Sequence, residues 1–410
     1  MLIHGQPQIL VNRAPKGFGP LAEAETRAAL GLAREADKFG WKIARDLDNR
    51  PDDVIIADLG YRAMIELSLR LKSTRELFWH VKKLRAGSLG EVSRAMNKVP
   101  WIDILPAKTK CAIQANSVNS LAYNENLIKR VAGEDLAKLG FKITEKEDAN
   151  QTIDLSLVKN QLTISVSLSG KPLRFRGYKL SFISLASIRE DLAGCITESC
   201  LNFVKTKAPD LTFDHVFAPF SGSGTLGFEA AIALRNIPLF AFRNKFAALD
   251  FPSTPEATRG SITRNLLSLV SNKPLSIQMI EVDREQFDAC QQNIEKFAGL
   301  SKVAGADCTV SIKCADFFEE TSTAEKEAPL FIPLNPPYGD RIGTEAKVFY
   351  KKLADRLNSI KNEIGGFCLA PDADSVKAFV TGMRNAETQS YEVDHGGRMI
   401  TVINFWRRRG

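Results

Sequence analysis

The stretch DHVFAPFSGSGTLGFEAAIAL, residues 214–234, constrains the fold more than any other. A short apolar run breaks at Ser221-Gly222-Ser223-Gly224 and resumes as a longer apolar segment, which reads as strand, tight turn and helix. LSIQMIEVDREQFDACQQNIEKFAGL (275–300) repeats the order, with acidic residues between its strand and its helix. VSIKCADFF (310–318) and APLFIPLNPPY (328–338) read as further strands, KVFYKKLADRLNSI (347–360) as a helix and GGFCLA (365–370) as a strand. YEVDHGGRMITVINFW (391–406) has two β runs around His395-Gly396-Gly397, a hairpin turn. Alternating strand and helix predicts a parallel, doubly wound sheet, here with an antiparallel hairpin at its C-terminal end.

Before about residue 185 the pattern is different. PLAEAETRAALGL (20–32) opens with Pro and places Leu21, Ala24, Ala28 and Leu32 on one helical face. YNENLIKRVAGEDLAKLG (123–140) does so with Ile128, Val131, Leu136 and Leu139, then stops at Gly140. In TIDLSLVKNQLTISVSLSG (152–170), Ile153, Leu155 and Leu157 alternate with polar residues, as do Leu162, Ile164, Val166 and Leu168. Lys159-Asn160 between them predicts an antiparallel hairpin. The N-terminal half is therefore α+β, and the break between the halves falls near 170–190.

A chain of 410 residues exceeds one ordinary domain, so two or three are expected. Its 55 Lys+Arg against 48 Asp+Glu give a net +7, compatible with a nucleic-acid partner without requiring one. The seven cysteines (Cys111, Cys195, Cys200, Cys290, Cys308, Cys314 and Cys368) form no CxxC pair and have no His cluster nearby. No metal site is expected, and the thiols read as those of a reducing compartment. The start, MLIHGQPQILVNRAPKGFG, lacks a basic segment followed by an apolar one, and no stretch approaches the length of a membrane span. A soluble cytoplasmic protein is expected.

Candidate site residues cluster where strands end. Gly222 and Gly224 remove side chains where the backbone turns tightly, and the helix opening near Thr225 directs its positive end at the turn. No Lys follows the glycines, so the turn is not a P-loop. The next strand ends in Glu281-Val282-Asp283, where a doubly wound nucleotide site places a carboxylate on ribose hydroxyls. Asp316 follows the strand after that, placed to accept a hydrogen bond from an exocyclic amine. Asn335 follows the fourth, in Asn335-Pro336-Pro337-Tyr338. Any one of the carboxylates is also satisfied by a helix cap, but together they converge on the crevice where open α/β sheets bind ligands. The exocyclic amine of a base is a poor nucleophile, because its lone pair is delocalised into the ring. The Asn335 side-chain carbonyl and the Pro336 main-chain carbonyl can accept both its N–H bonds. Pro336 and Pro337 stiffen the turn, and Tyr338 offers a ring face for stacking an extruded base.

With these motifs in view, residues 185–410 resemble the class I S-adenosylmethionine-dependent methyltransferases of the amino-methylating NPPY group. The resemblance implies a Rossmann-like catalytic domain with a mostly parallel seven-stranded sheet, and S-adenosyl-L-methionine as cofactor. It implies that Phe220, Ser221, Gly222 and Gly224 surround the methionine part, that Glu281 holds the ribose and Asp316 the adenine, and that Thr225, Asp283, Phe317 and Asn335 also line the cofactor site. Asn335, Pro336, Pro337 and Tyr338 would carry the target amine. The N-terminal half, from APKGFGPLAEAETRAAL to VKNQLTISVSLSGKPLRFRGYKL, is similar to the ferredoxin-like plus THUMP arrangement of RNA methyltransferases. Residues 1–55 would be the ferredoxin-like part, 56–170 the THUMP domain and 171–410 the catalytic domain, with 171–190 as linker. LRFRGYKLSFISLASIREDLAGCI (173–196), FAFRNKFAALDF (240–251) and NPPYGDRIG with KVFYKKLAD resemble the bacterial 23S rRNA guanine-N2 methyltransferases.

The resemblance implies N2 methylation of a guanosine in 23S rRNA, with tRNA guanine-N2 as the alternative substrate. One position departs from the family: Ala218 stands where an acidic residue is usual, before Pro219-Phe220-Ser221-Gly222. That departure motivates a third reading, a non-catalytic RNA-binding factor in ribosome assembly. Two basic segments fit an RNA partner. RLKSTRELFWHVKKLR (70–85) interleaves Arg and Lys with Phe78 and Trp79, and KPLRFRGYK (171–179) does so with Phe175 and Tyr178, so both are expected to pair phosphates and stack bases. The first also reads as a solvated amphipathic helix.

Overall fold

The computed structural model describes residues 3–33, 36–46, 50–180, 188–243, 245–320, 328–337 and 346–409. They form two units: the first comprises residues 1–175 with 244–265, the second 176–243 with 266–410.

Unit 1 is built on one eight-stranded sheet. Its strands are β1 (Gln8–Arg13), β2 (Lys42–Asp46), β3 (Arg50–Leu59), β4 (Glu76–Arg85), β5 (Lys110–Val118), β6 (Lys142–Ile143), β7 (Gln151–Val158) and β8 (Gln161–Ser167), in the order β2-β3-β1-β4-β8-β7-β5-β6. The expected hairpin is β7–β8, with Ile153, Leu155, Leu157, Leu162, Ile164 and Val166 all fully buried. Lys159 and Asn160 take φ of 49° and 59°, the twist that a two-residue hairpin turn needs. The helices expected over 20–32 and 123–140 appear as Gly19–Leu30 and Glu125–Lys138.

The basic segment 70–85 corrects both readings of it. Residues 76–85 are the strand β4 rather than a solvated helix, and Phe78 and Trp79 are core residues, with the Trp79 indole N–H bonded to Gln8 Oε1 at 2.8 Å. Neither ring is available to a base. Tyr178 is likewise fully buried, in unit 2.

Residues 244–265 leave the middle of the unit 2 sequence and belong to unit 1. The Ala248 amide donates to the Leu168 carbonyl at 2.8 Å and the Ser253 amide to the Asp103 carbonyl at 3.0 Å. Tyr61 Oη lies 2.7 Å from Ser253 Oγ and 2.8 Å from Thr254 Oγ1, and the Phe251 ring packs 6.2 Å from Trp79. Nothing in FAFRNKFAALDF marks this excursion, because its apolar spacing suits a core of either unit.

Unit 2 carries the doubly wound sheet: β9 (His215–Pro219), β10 (Leu275–Glu281), β11 (Cys308–Cys314), β12 (Leu330–Leu334), β13 (Ile364–Ala370), β14 (Ala386–His395) and β15 (Arg398–Arg407). Their order is β11-β10-β9-β12-β13-β15-β14; the first five pair in parallel and β15 is antiparallel to both neighbours. Every residue of β12 and β13 is buried, as strands covered on both faces must be. The chain order reverses between β9 and β12, which puts the topological switch point at their carboxyl ends.

Candidate active site

Register brings the strand ends level. Ile280 pairs with Pro219 and Cys314 with Glu281, while Phe331 pairs with Val216. Phe220 directly follows β9, Glu281 ends β10, Asn335 directly follows β12 and Asp316 lies two residues beyond β11, so all four stand at the carboxyl edge of the sheet. The sequence-predicted residues on Phe220–Thr225, Glu281, Asp316, Phe317 and Asn335 therefore converge.

The turn after β9 is left-handed at three positions: Phe220 at φ 57°, Gly222 at 51° and Gly224 at 91°. Gly224 is required twice over, because a Cβ there would lie 2.6 Å from Phe228 Cε2 and 2.9 Å from Cys290 Sγ. Phe220 holds the same region despite its side chain, at a cost of order 1 kcal/mol. Its ring packs among Phe317 at 5.5 Å, Phe349 at 6.0 Å and Phe318 at 6.2 Å. The helix Thr225–Leu234 starts directly after the turn.

Glu281 is the buried carboxylate of the site. Its Oε2 accepts the Gly222 N–H at 2.7 Å and its Oε1 the Asp283 N–H at 3.0 Å. Two bonds leave a carboxylate with further lone pairs, so the same group can also accept from hydroxyls. Asp316 Oδ1 accepts the Phe318 N–H at 2.8 Å, which fixes the carboxylate beside Phe317. Phe317 itself is buried, 5.9 Å from Phe217. Asp283 is exposed and caps the helix Arg284–Val303 through Gln286 N at 2.9 Å, the alternative open to any carboxylate at such a position. Burial pushes the Cys290 thiol up to about 12, so the sulfur beside the turn is an inert thiol rather than a nucleophile.

Asn335 Oδ1 is buried and has no hydrogen-bond partner among the described residues. A buried acceptor without a donor costs about 1–3 kcal/mol, and a ligand amine would relieve it. Pro336 is buried and Pro337 half-buried; Tyr338 lies outside the described residues. Ala218 is buried in β9 opposite Met279. Among the described residues no group of three or more His, Cys, Asp or Glu is placed to hold a metal, and no helix is long and apolar enough to cross a membrane.

Sequence reading passed over the supports of the turn. Asn293 binds the Ser223 carbonyl at 3.1 Å, and Glu229, on the helix after the turn, is paired with Arg176. Both look like ordinary helix-surface residues in sequence, and no motif marks them.

A doubly wound sheet whose β15 runs antiparallel to both neighbours, with a Gly-rich turn after its first strand and carboxylates at the ends of the second and third, is the class I methyltransferase architecture. The chain matches the UPF0020 family, the RMKL-like methyltransferase domain, over residues 176–401. It belongs to that family. Among curated relatives, the YpsC protein of Bacillus subtilis (strain 168) is 24% identical over 355 residues, covering 84% of this chain and 86% of YpsC. The tRNA (guanine(6)-N2)-methyltransferase of Methanocaldococcus jannaschii is 24% identical over 343 residues, 80% of this chain and 83% of that one. The ribosomal RNA large subunit methyltransferase K/L of Marinomonas sp. (strain MWYL1) is 23% identical over 349 residues, 81% of this chain but 43% of the relative. The chain thus spans less than half the length of that K/L protein. The crystal structure of SMU.472 complexed with SAH superposes with a TM-score of 0.72 at 20% identity, over 99% of both chains, a likeness of fold.

Proposed function

We propose that this chain is an S-adenosyl-L-methionine-dependent RNA methyltransferase that methylates the exocyclic N2 amine of a guanosine in 23S rRNA, in the cytoplasm. The observation that carries the reading is the Asn335 side-chain carbonyl, buried and without a hydrogen-bond partner among the described residues, at the carboxyl edge of the sheet that also carries the Gly-rich turn. The residues fit the cofactor: left-handed glycines clear space at the turn, and Glu281 retains lone pairs for hydroxyls. Phe220, Ser221, Gly222, Gly224 and Thr225 would face its methionine end, Glu281 and Asp283 its ribose, Asp316 and Phe317 its adenine. When bound, S-adenosyl-L-methionine supplies a methyl group on a positively charged sulfur that leaves as a neutral thioether.

The protein's part is orientation. Asn335 Oδ1 and the Pro336 carbonyl accept the two N–H bonds of the amine and turn its lone pair toward the turn. Tyr338 stacks the extruded base, an interaction worth about 1–3 kcal/mol. Because the leaving group is neutral, no strong base is needed; the proton passes after transfer to water or to Asp340, which like Tyr338 lies outside the described residues. Unit 1, read as ferredoxin-like and THUMP parts, would hold structured RNA by shape and backbone.

A second reading, tRNA guanine-N2 methylation, is favoured by length: the Methanocaldococcus jannaschii tRNA enzyme is matched over 83% of its chain, the Marinomonas K/L protein over 43%. The deciding experiment is nucleoside mass spectrometry of unmodified rRNA and tRNA after incubation with labelled S-adenosylmethionine, with Asn335→Ala as control. N2-methylguanosine in rRNA alone supports the first reading, and in tRNA alone the second. Ala218 keeps a non-catalytic factor in play, and calorimetry with S-adenosylmethionine tests it: absence of binding at millimolar cofactor would favour it over both.

A further inference from the structure

Phe78 and Trp79 are core residues, yet unit 1 does present an aromatic ring to water. Tyr123 is 79% exposed, the most of any described Phe, Tyr or Trp, and Leu121 and Val118 are 74% and 44% exposed. All three lie in residues 118–123, which lead from the end of β5 toward the helix Glu125–Lys138. Single exposed apolar side chains are ordinary, whereas a group of them marks a contact surface.

The segment is held firmly although it leaves these side chains in water. The Lys159 N–H donates to the Val118 carbonyl at 3.0 Å, the Leu121 N–H to Asn160 Oδ1 at 2.8 Å and Ser117 Oγ to the Ala122 carbonyl at 2.8 Å. Ser120 Oγ takes the Asn160 N–H at 2.9 Å. The loop is thus tied to the turn of the β7–β8 hairpin, and its apolar side chains are displayed with the backbone already ordered for a ligand.

Cations line the same end of the sheet. Register places Val118, Val158, Gln161 and Arg85 in one row across β5, β7, β8 and β4, and Asn116, Ser156, Thr163 and Lys83 in the next row on the same face. Lys83, Arg85 and Lys159 are exposed, and none of them forms an ion pair among the described residues. The nearby carboxylates of Glu91 and Glu125 accept the Gly87 and Ser117 N–H groups at 2.5 and 3.0 Å. In the second row Asn116 Oδ1 is buried with no hydrogen-bond partner among the described residues, an acceptor open to a donor from outside.

This combination matches an unstacked nucleotide. The ring takes a base face, the cations take phosphates, and the amide carbonyl takes an amino group or a ribose hydroxyl. A duplex keeps its base faces within the stack and offers Tyr123 none of them.

We propose that Tyr123, Leu121 and Val118, with Lys83, Arg85 and Lys159, form a platform on unit 1 that stacks an unpaired nucleotide of the RNA. The inference rests on the reading of the chain as an RNA-modifying enzyme. It adds which residues of unit 1 grip the RNA, and that the gripped part is single-stranded.

The test is fluorescence anisotropy on the full chain with two probes, a short single-stranded oligoribonucleotide and the same strand annealed to its complement. The single strand is expected to bind more tightly. Tyr123→Ala weakens it ~10-fold and leaves the duplex within ~2-fold, while Tyr123→Phe, which keeps the ring, stays within ~2-fold on both. Replacing Lys83 and Arg85 together by Ala lowers the slope of log affinity against log salt by ~1.4 on the single strand. Tyr123 stands in water, so its removal leaves no cavity in the fold. If Tyr123→Ala weakens both probes equally, or binds the single strand as the unsubstituted chain does, the platform is overturned and the RNA reading stands. If the unsubstituted chain binds neither probe, both fall. Labelled polyglutamate bound in a Tyr123-dependent way overturns the proposal in favour of an acidic protein partner.

Discussion

The Glu281 carboxylate reaches from the end of β10 to the turn after β9 and takes the Gly222 amide at 2.7 Å, while its other oxygen takes the amide of Asp283. One side chain thus closes the Gly-rich turn and anchors the start of the next helix. Glu281→Ala removes both bonds and any further bond to a ribose. Charge-assisted hydrogen bonds contribute about 1.5–3 kcal/mol each, so cofactor affinity should fall at least ~10-fold, with Glu281→Gln intermediate. Calorimetry with S-adenosylmethionine checks it; an unchanged dissociation constant in Glu281→Ala would contradict the assignment.

Asn335 separates binding from turnover. Its carbonyl is buried without a partner among the described residues, so truncation costs the folded protein little by itself. Asn335→Ala should lower turnover ~100-fold or more, since misplacing a reacting group by about 1 Å has that effect. Cofactor affinity should stay within ~5-fold, because the cofactor has its other contacts. Single-turnover rates beside calorimetric titration would show the split, and equal loss in both would move Asn335 into the cofactor site alone.

Much of this site was legible because its logic is local. The strand-turn-helix of 214–234, the acidic strand end at Glu281 and the Asn335-Pro336 break each carry their signal within a few residues, and the parallel strands then bring them to one edge of the sheet. What was not legible depends on partners far away in sequence. Phe78 and Trp79 among basic residues suggested base stacking, yet strand alternation and long-range packing put both in the core. Asn293 reads as one polar residue in a helix until Leu180 and Ser223 are brought to it, across 113 and 70 residues. Residues 244–265 show no compositional break, so their departure into unit 1 had no signal to read.

The two glycines of the turn should respond unequally. At Gly222 a Cβ would meet nothing nearer than Gln286 Oε1 at 3.8 Å, so Gly222→Ala carries only the left-handed penalty of about 1 kcal/mol. At Gly224 the same change adds overlap with the Phe228 ring and Cys290 Sγ, and overpacking adds about 1–3 kcal/mol. Denaturant midpoints for the unfolding of unit 2 should fall further for Gly224→Ala than for Gly222→Ala. Equal shifts would mean that Phe228 swings away freely.

His80 gives unit 1 a definite acid response. His80 is half-buried in β4 opposite Ser165, and the desolvation there, reinforced by Arg13, Lys83 and Arg50 and partly offset by Asp154, lowers its imidazole to about 4. In the unfolded chain it titrates near its ordinary 6.5. Between these values the unfolded state carries a proton that the folded state refuses, so this contribution is present above pH 6.5 and is lost as pH falls toward 4. The loss is on the order of 2–3 kcal/mol. His80→Gln cannot take up that proton, so urea denaturation at pH 7 and pH 4.5 should show a shallower fall in unit 1 stability than in the unsubstituted chain. Identical pH dependence in the two proteins would mean that His80 titrates normally in the folded state and that β4 is open to water at this position.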